Sequence, residues 1–319
     1  MIEVKHLTKR YGSHTAVADL SFTIEKGKVY GFLGPNGAGK STTMNIITGC
    51  LSATDGEVFI DGHSITEEPL LAKKRIGYLP ELPPLYMDMT PLEYLRFVAQ
   101  AKGVQRAETD AQIAHVVEKT RLEDVENRLI RNLSKGYRQR VGIAQALLGK
   151  PEVIILDEPT VGLDPAQIIE IRELIRELGK EHTIVLSSHI LSEVQAVCDS
   201  ITIISKGHLV ASDTPEHLTE LLAGNAALKM EVKGSGDRVK QILAGMDGIE
   251  SCTVKNGEAD TSLIDIKPRD KCDIREALFK AFAAADMPIL EMARTRATLE
   301  DVFLELTQSD ETQRVGDEK

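Results

Sequence analysis

The chain has 319 residues, too many for one typical core and about the length of two domains. With 42 % hydrophobic and 27 % charged residues its balance is that of a globular protein, which excludes disorder as the main state. The net charge of −11 argues against work on nucleic acid or direct docking on anionic lipid, and no apolar run approaches the roughly 18–20 residues that a membrane helix needs.

Met1-Ile2-Glu3-Val4-Lys5 has no basic region followed by an apolar stretch, so no secretory leader is read and the chain is expected on the cytosolic side. Ser21–Ile24 and Lys28–Leu33 read as strands flanking a turn at Lys26-Gly27, and Glu57–Ile60 as a strand between the turn dipeptides Asp55-Gly56 and Asp61-Gly62. Together they predict a small antiparallel subdomain. A short helix is expected over Thr42–Thr48. Thr90-Pro91-Leu92-Glu93 is a helix start, with Thr as N-cap, Pro in the first turn and Glu reaching back; the helix runs on through Tyr94, Leu95, Phe97 and Val98. Asp110–Lys119 reads as another helix.

Val153-Ile154-Ile155-Leu156 is a continuous apolar run, the pattern of a strand buried on both faces of a parallel sheet. Gln167–Leu178 is an amphipathic helix with Ile168, Ile171, Leu174, Ile175 and Leu178 on one stripe and Gly179 closing it; Thr183–Ser187 is a second buried strand. Helix alternating with strand predicts an α/β fold with a mainly parallel sheet. Near Leu222-Ala223-Gly224-Asn225 the character changes. From Ala227 the order is strand, helix, two strands, helix, strand, which is ferredoxin-like, and then a last helix over Leu299–Leu306. The domain reading is therefore 1–220, with a helical subdomain at about 82–150, an α+β accessory domain at 227–308, and a loose polar tail at 309–319. Cys50, Cys198, Cys252 and Cys272 are scattered with no CxxC pair, so they read as reduced thiols, not as a zinc or redox site.

Gly34-Pro35-Asn36-Gly37-Ala38-Gly39-Lys40-Ser41-Thr42 satisfies G-x-x-x-x-G-K-[ST] between a strand and a helix. Its glycines let backbone N–H groups turn onto phosphate oxygens, and the helix start adds the positive end of a dipole. Lys40 is placed to reach the β- and γ-phosphates and the Ser41 hydroxyl to ligate Mg²⁺. Ile154-Ile155-Leu156-Asp157-Glu158 ends a buried strand on two carboxylates. Asp157 suits Mg²⁺, and Glu158 suits a base that takes a proton from attacking water. On their own these acids read as a solvated strand end; the phosphate loop earlier in the chain is what favours a nucleotide site.

Leu133-Ser134-Lys135-Gly136-Tyr137-Arg138-Gln139-Arg140 resembles the ABC signature, usually LSGGQ, and is followed by the helix-spaced Val141, Ala144 and Leu148. In order come Gly162-Leu163-Asp164-Pro165, which looks like the D-loop, and Ser187-Ser188-His189, which looks like the switch histidine. Tyr11 resembles the aromatic that stacks on adenine, and Ile76-Gly77-Tyr78-Leu79-Pro80-Glu81 resembles the Q-loop. Each residue also has a plain structural reading: Ser134 and Asp164 as helix caps, Tyr11 as packing, His189 as a structural polar group. The joint order over roughly 1–220 resembles the ABC ATPases.

That resemblance implies two cassettes paired head to tail. Each ATP would lie between the phosphate loop of one and Ser134 and Gly136 of the other, with closure on binding and reopening on hydrolysis. One cassette per chain implies a second ATPase subunit, most simply another copy, and a separate integral membrane permease holding the protein at the inner face of the membrane. Two departures stand out: Glu81 where the family usually has Gln, and Lys135 and Tyr137 in place of Gly and Gln in the signature. Glu81 carries over as a metal-side contact. Leu82–Met87 is read equally as a permease-facing patch or as helical-subdomain core. The style of the chain resembles ATPases of two-component export permeases, and the accessory domain reads as regulatory or dimer-stabilising. The rival class, a soluble ABC ATPase on ribosomes or DNA, usually carries two cassettes or long insertions, which this sequence lacks.

Overall fold

In the computed structural model, which describes residues 1–223, 227–257, 260–269 and 273–295, the chain divides into two units, Met1–Pro215 and Glu216–Lys319. The first opens with β1 (Ile2–Tyr11), β2 (His14–Ile24) and β3 (Val29–Leu33), then α1 (Lys40–Ile47), β4 (Asp55–Ile60), β5 (His63–Ser64), α2 (Pro69–Lys74) and β6 (Ile76–Leu79). Three helices follow, α3 (Pro91–Ala101), α4 (Arg106–Lys119) and α5 (Lys135–Leu147). The unit then runs through β7 (Val153–Asp157), α6 (Pro165–Gly179), β8 (Thr183–Ser188), α7 (Leu191–Val197), β9 (Ser200–Ser205) and β10 (His208–Asp213), and α8 (Pro215–Ala223) comes next.

Two sheets make the first unit. One is antiparallel, in the order β2-β1-β4-β5; the other has the order β10-β9-β3-β8-β7-β6 and is parallel except at its β10 edge. The reading of Lys28–Leu33 as part of the antiparallel subdomain is corrected here: β3 lies inside the parallel sheet. All five of its residues are buried, as are all of β7 and β8, which is what a strand covered on both faces requires. Ile2, Leu7 and Ile60 of the antiparallel sheet share one buried cluster with Phe32, Ile155 and Val185 of the parallel sheet and with Met44 and Ile47 of α1. The phosphate loop thus springs from the centre of the core.

The helix starts follow the sequence. Thr90 and Glu93 form a reciprocal capping box on α3, with Thr90 N donating to Glu93 Oε2 at 2.8 Å and Glu93 N to Thr90 Oγ1 at 3.3 Å. On α6, Ile171, Leu174, Ile175 and Leu178 are buried as the stripe predicted, while Ile168 is half-buried. Gly179 does not cap that helix in a left-handed turn. The cap residue is Lys180, and a Cβ at Gly179 would meet Val29 Cγ2 at 2.6 Å, so the glycine is there for close approach to β3.

The second unit contains β11 (Ala227–Lys233), α9 (Gly236–Ala244), β12 (Ile249–Asn256), β13 (Thr261–Pro268), α10 (Arg275–Ala284) and β14 (Ile289–Thr295). Its sheet order is β12-β13-β11-β14, antiparallel throughout, which is the ferredoxin-like arrangement. Leu228, Met230 and Val232 alternate inward and meet Ile264, Ile266, Val239, Leu278 and Phe282 in a core of its own. The helix read over Leu299–Leu306 and the tail at 309–319 lie outside the described residues. No helix among the described residues is long and apolar enough to cross a membrane.

Candidate functional site

β3 is a buried central strand that must end where the chain turns into α1, and the turn is the glycine-rich segment. Gly39, the residue capping α1, has φ 105°, and a Cβ there would meet Ala16 O at 2.5 Å, so both conformation and space demand glycine. Lys40 opens the helix and is 6 % exposed; its Nζ donates to Gly34 O at 2.8 Å and Pro35 O at 3.3 Å and lies 3.6 Å from Glu158 Oε1. The ammonium is thereby held at the lip of the loop by the loop's own carbonyls.

Asp157 and Glu158 arrive on β7, next but one to β3 in the sheet, and both are buried. Asp157 Oδ1 accepts from Ser41 Oγ at 3.3 Å and from Ser187 Oγ at 2.5 Å. The same Ser187 hydroxyl accepts from the Glu158 backbone N–H at 2.9 Å. Glu158 sits at φ 49°, a left-handed conformation unfavourable for a side chain of this size, and this hydrogen bond helps hold it. Its Oε2 lies 2.9 Å from Nδ1 of His189. The two carboxylates, the lysine, the serine and the histidine therefore form one connected set.

An open cavity of ≈ 610 Å³ faces that set, lined by Asn36, Gly37, Gly39, Lys40, Ser41 and Thr42, by Glu158 and His189, and by Tyr11 and Glu81. Tyr11 closes β1 with its ring about half exposed, and Lys9 Nζ stands 5.3 Å from the ring centroid. His14, Ala16 and Val161 also line the cavity and were not read as site residues. In sequence Ser187 reads only as the end of the strand Thr183–Ser187 and as a neighbour of His189. Its role follows from register, because Asp157 pairs with Ser187 across β7 and β8.

Ser134, Gly136 and Asp164 do not line this cavity. Ser134 is the N-cap of α5, accepting from Tyr137 N, and Asp164 is the N-cap of α6, accepting from Gln167 N at 2.9 Å. Gly136 lies under the Gln167 side chain, which a Cβ would meet at 2.7 Å. The Leu82–Met87 segment is not core: Leu82 is 84 % exposed, and Tyr86 and Met87 are also exposed. Tyr86 packs on Tyr94 and Phe97, so an apolar aromatic patch faces outward from the helical part.

Among the described residues no group of three His, Cys, Asp or Glu side chains could hold a metal ion. A magnesium ion bound with phosphate needs fewer protein ligands than that, and the Ser41 hydroxyl beside the Asp157 carboxylate is a donor pair that fits it.

A family model described as ABC transporter matches residues 17–161. The linearmycin resistance ATP-binding protein of Bacillus subtilis is 32 % identical over 308 residues, 96 % of this chain and 98 % of that one. The bacitracin transport ATP-binding protein of Bacillus licheniformis is 40 % identical over 220 residues, 68 % of this chain and 71 % of that one. Of solved structures, a dimeric ATP-binding cassette in a post-hydrolysis state bound to ADP and Pi superposes with TM-score 0.61 at 26 % identity, over 67 % of this chain and 98 % of the other.

Proposed function

The chain belongs to the ABC transporter ATP-binding family and is an ATP-hydrolysing transporter subunit, and from that premise we propose that it powers a separate integral membrane permease, as an exporter, by closing and reopening a dimer of two copies around ATP. The observation that carries this reading is the connected set at the cavity: Lys40 beside Glu158, Glu158 beside His189, and Asp157 beside Ser41.

Backbone N–H groups of the glycine-rich loop bind the phosphates, and Lys40 exchanges its carbonyl contacts for β- and γ-phosphate oxygens. Ser41 and Asp157 would hold Mg²⁺, with Glu81 on the metal side, and the bound ion would neutralise charge on the phosphates. Glu158 takes the proton of the attacking water, and His189 holds the γ-phosphate side in place. Tyr11 stacks on the adenine. Ser134 and Gly136, at the N-terminus of α5, complete the site of the other copy, with Asp164 near the same contact. The exposed patch of Leu82, Tyr86, Met87 and Phe97 suits a permease contact, which would hold the chain at the cytoplasmic face of the membrane. Support for export comes from the relatives named for linearmycin resistance and bacitracin transport.

The test is Glu158→Gln in the full chain with ATP and Mg²⁺. Hydrolysis should fall by roughly 100-fold or more, an ATP-bound dimer should accumulate, and a multi-helix membrane protein should co-purify from gently solubilised membranes. Hydrolysis at the wild-type rate would remove Glu158 as the base. Recovery of ribosomes or DNA-bound factors with the membrane fraction empty would overturn the transport reading.

A further inference from the structure

Five charged side chains are buried among the described residues: Lys40, Asp157, Glu158, Arg140 and Glu193. Lys40 and Glu158 line the cavity, Asp157 is bonded to Ser41 of its lining, and Arg140 pairs with Glu170 at 2.6 Å. Glu193 does none of these. It lies on the buried stripe of α7, between Leu191, Val194 and Val197, 5 % exposed and away from the cavity lining. Among the described residues no cation pairs with it. A carboxylate at such a position costs desolvation that a leucine would not, so its hydrogen bonds must account for it.

Those bonds converge on one atom. Glu193 Oε2 accepts from Thr160 Oγ1 and from Ser188 Oγ, the latter at 3.2 Å. Thr160 follows Glu158 by two residues in the turn that leads to Asp164, and Ser188 immediately precedes His189. Both hydroxyl residues are buried. Ser188 Oγ also accepts from Ile190 N at 3.0 Å, so the hydroxyl that donates to the carboxylate also spans the turn across His189.

We propose that Glu193 is a positioning residue for hydrolysis: by tying Thr160 and Ser188 to one carboxylate oxygen, it sets the separation of the two turns that carry Glu158 and His189. The turns are then joined twice. The joint in the cavity, between His189 Nδ1 and Glu158 Oε2, must open when these groups turn to water and phosphate. The one behind the cavity touches no reacting atom and persists through the cycle. This rests on the reading of Glu158 as the base and His189 as its partner.

Thr160→Val removes one hydroxyl at nearly constant shape, and Ser188→Ala removes the other. Each should lower kcat of the full-length chain by about ten-fold, since small misplacements of catalytic groups are costly. KM for ATP should stay within about two-fold; each change leaves the buried carboxylate short of a donor, so a modest fall in melting temperature is expected, with the chain still folded at the assay temperature. The double variant should be no worse than either single, because each change alone cuts the tie. Glu193→Gln keeps an acceptor oxygen at the same place and should retain most of kcat, whereas Glu193→Ala should fall as far as the double variant. Wild-type kcat in Thr160→Val, additive kcat losses in the double variant, or a kcat loss in Glu193→Gln as large as that in Glu193→Ala would each overturn the proposal. Glu158→Gln run beside them separates the two readings. If it hydrolyses normally, the assignment of the base has failed; if it is inactive while Thr160→Val is normal, only the role of Glu193 has failed.

Discussion

Ser187 carries two demands with one hydroxyl. It donates to Asp157 Oδ1 and accepts from the backbone N–H of Glu158, so it fixes both the Asp157 carboxylate and the left-handed turn of the next residue. It is fully buried, and no water can stand in for it without a cavity being opened. Ser187→Ala leaves one buried acceptor and one buried donor short of a partner, which costs about 1–3 kcal/mol of stability. Because the freed Glu158 turn is no longer held, kcat should drop by about ten-fold or more with little change in KM; steady-state kinetics with a denaturation curve on the same sample checks both. The residues that sequence could reach are those whose chemistry is local. Gly34 to Thr42 form a loop whose spacing follows from the backbone turning around phosphate, and Asp157-Glu158 end a strand that announces itself by its apolar run. Ser187 and Glu193 were out of reach because their roles depend on contacts between residues far apart in the chain. The trace that could have pointed to Glu193 is an acid interrupting the apolar spacing of Leu191, Val194 and Val197.

The helix that carries the signature is fixed at both ends by single side chains. Ser134 caps its start, and at its end the ammonium of Lys102 donates to three carbonyls, Gln145 O at 2.7 Å, Ala146 O at 3.1 Å and Leu148 O at 2.9 Å. Three donors meet three acceptors at the negative end of the helix dipole. Lys102→Met should cost about 2 kcal/mol at neutral pH by leaving those carbonyls without a donor. Burial pushes the Lys102 ammonium down from 10.5 to about 8. Between these two values the unfolded chain holds more protons than the folded one, so the Lys102 contribution to stability rises with pH across that window. Urea unfolding at about pH 7 and about pH 10 should show this rise in the wild type relative to Lys102→Met, in which it is absent. Elements with local signals, such as the capped α3 and α6 and the apolar β7 and β8, were legible. β3 was assigned to the wrong sheet because a short apolar run after a Gly turn looks alike in a hairpin and in a buried parallel strand, and only burial on both faces separates them. The hairpin of β9 and β10 escaped, although Lys206-Gly207 marks its turn with two positive φ values.

Each unit has its own hydrophobic core, one around Phe32, Met44 and Ile155 and the other around Val232, Ile266 and Phe282. The cavity proposed to take the nucleotide is lined by residues of the first alone. A ligand stabilises only the structure that must be folded to bind it, by about 2.7 kcal/mol when its concentration is 100 times Kd. Calorimetry of the Glu158→Gln chain should therefore resolve two transitions, and ATP with Mg²⁺ should raise one and leave the other in place. A chain ending at Ala223 should keep the transition that responds to ATP and lose the other, with ATP affinity unchanged. If the second unit strengthens the dimer, as its regulatory or dimer-stabilising reading holds, the shortened chain should need a higher protein concentration to form the ATP-bound dimer by light scattering. Equal dimerisation in the two chains would remove that role. A single transition moving as a whole with ATP would instead mean that the units unfold together, and the accessory unit would then sense nucleotide through the first.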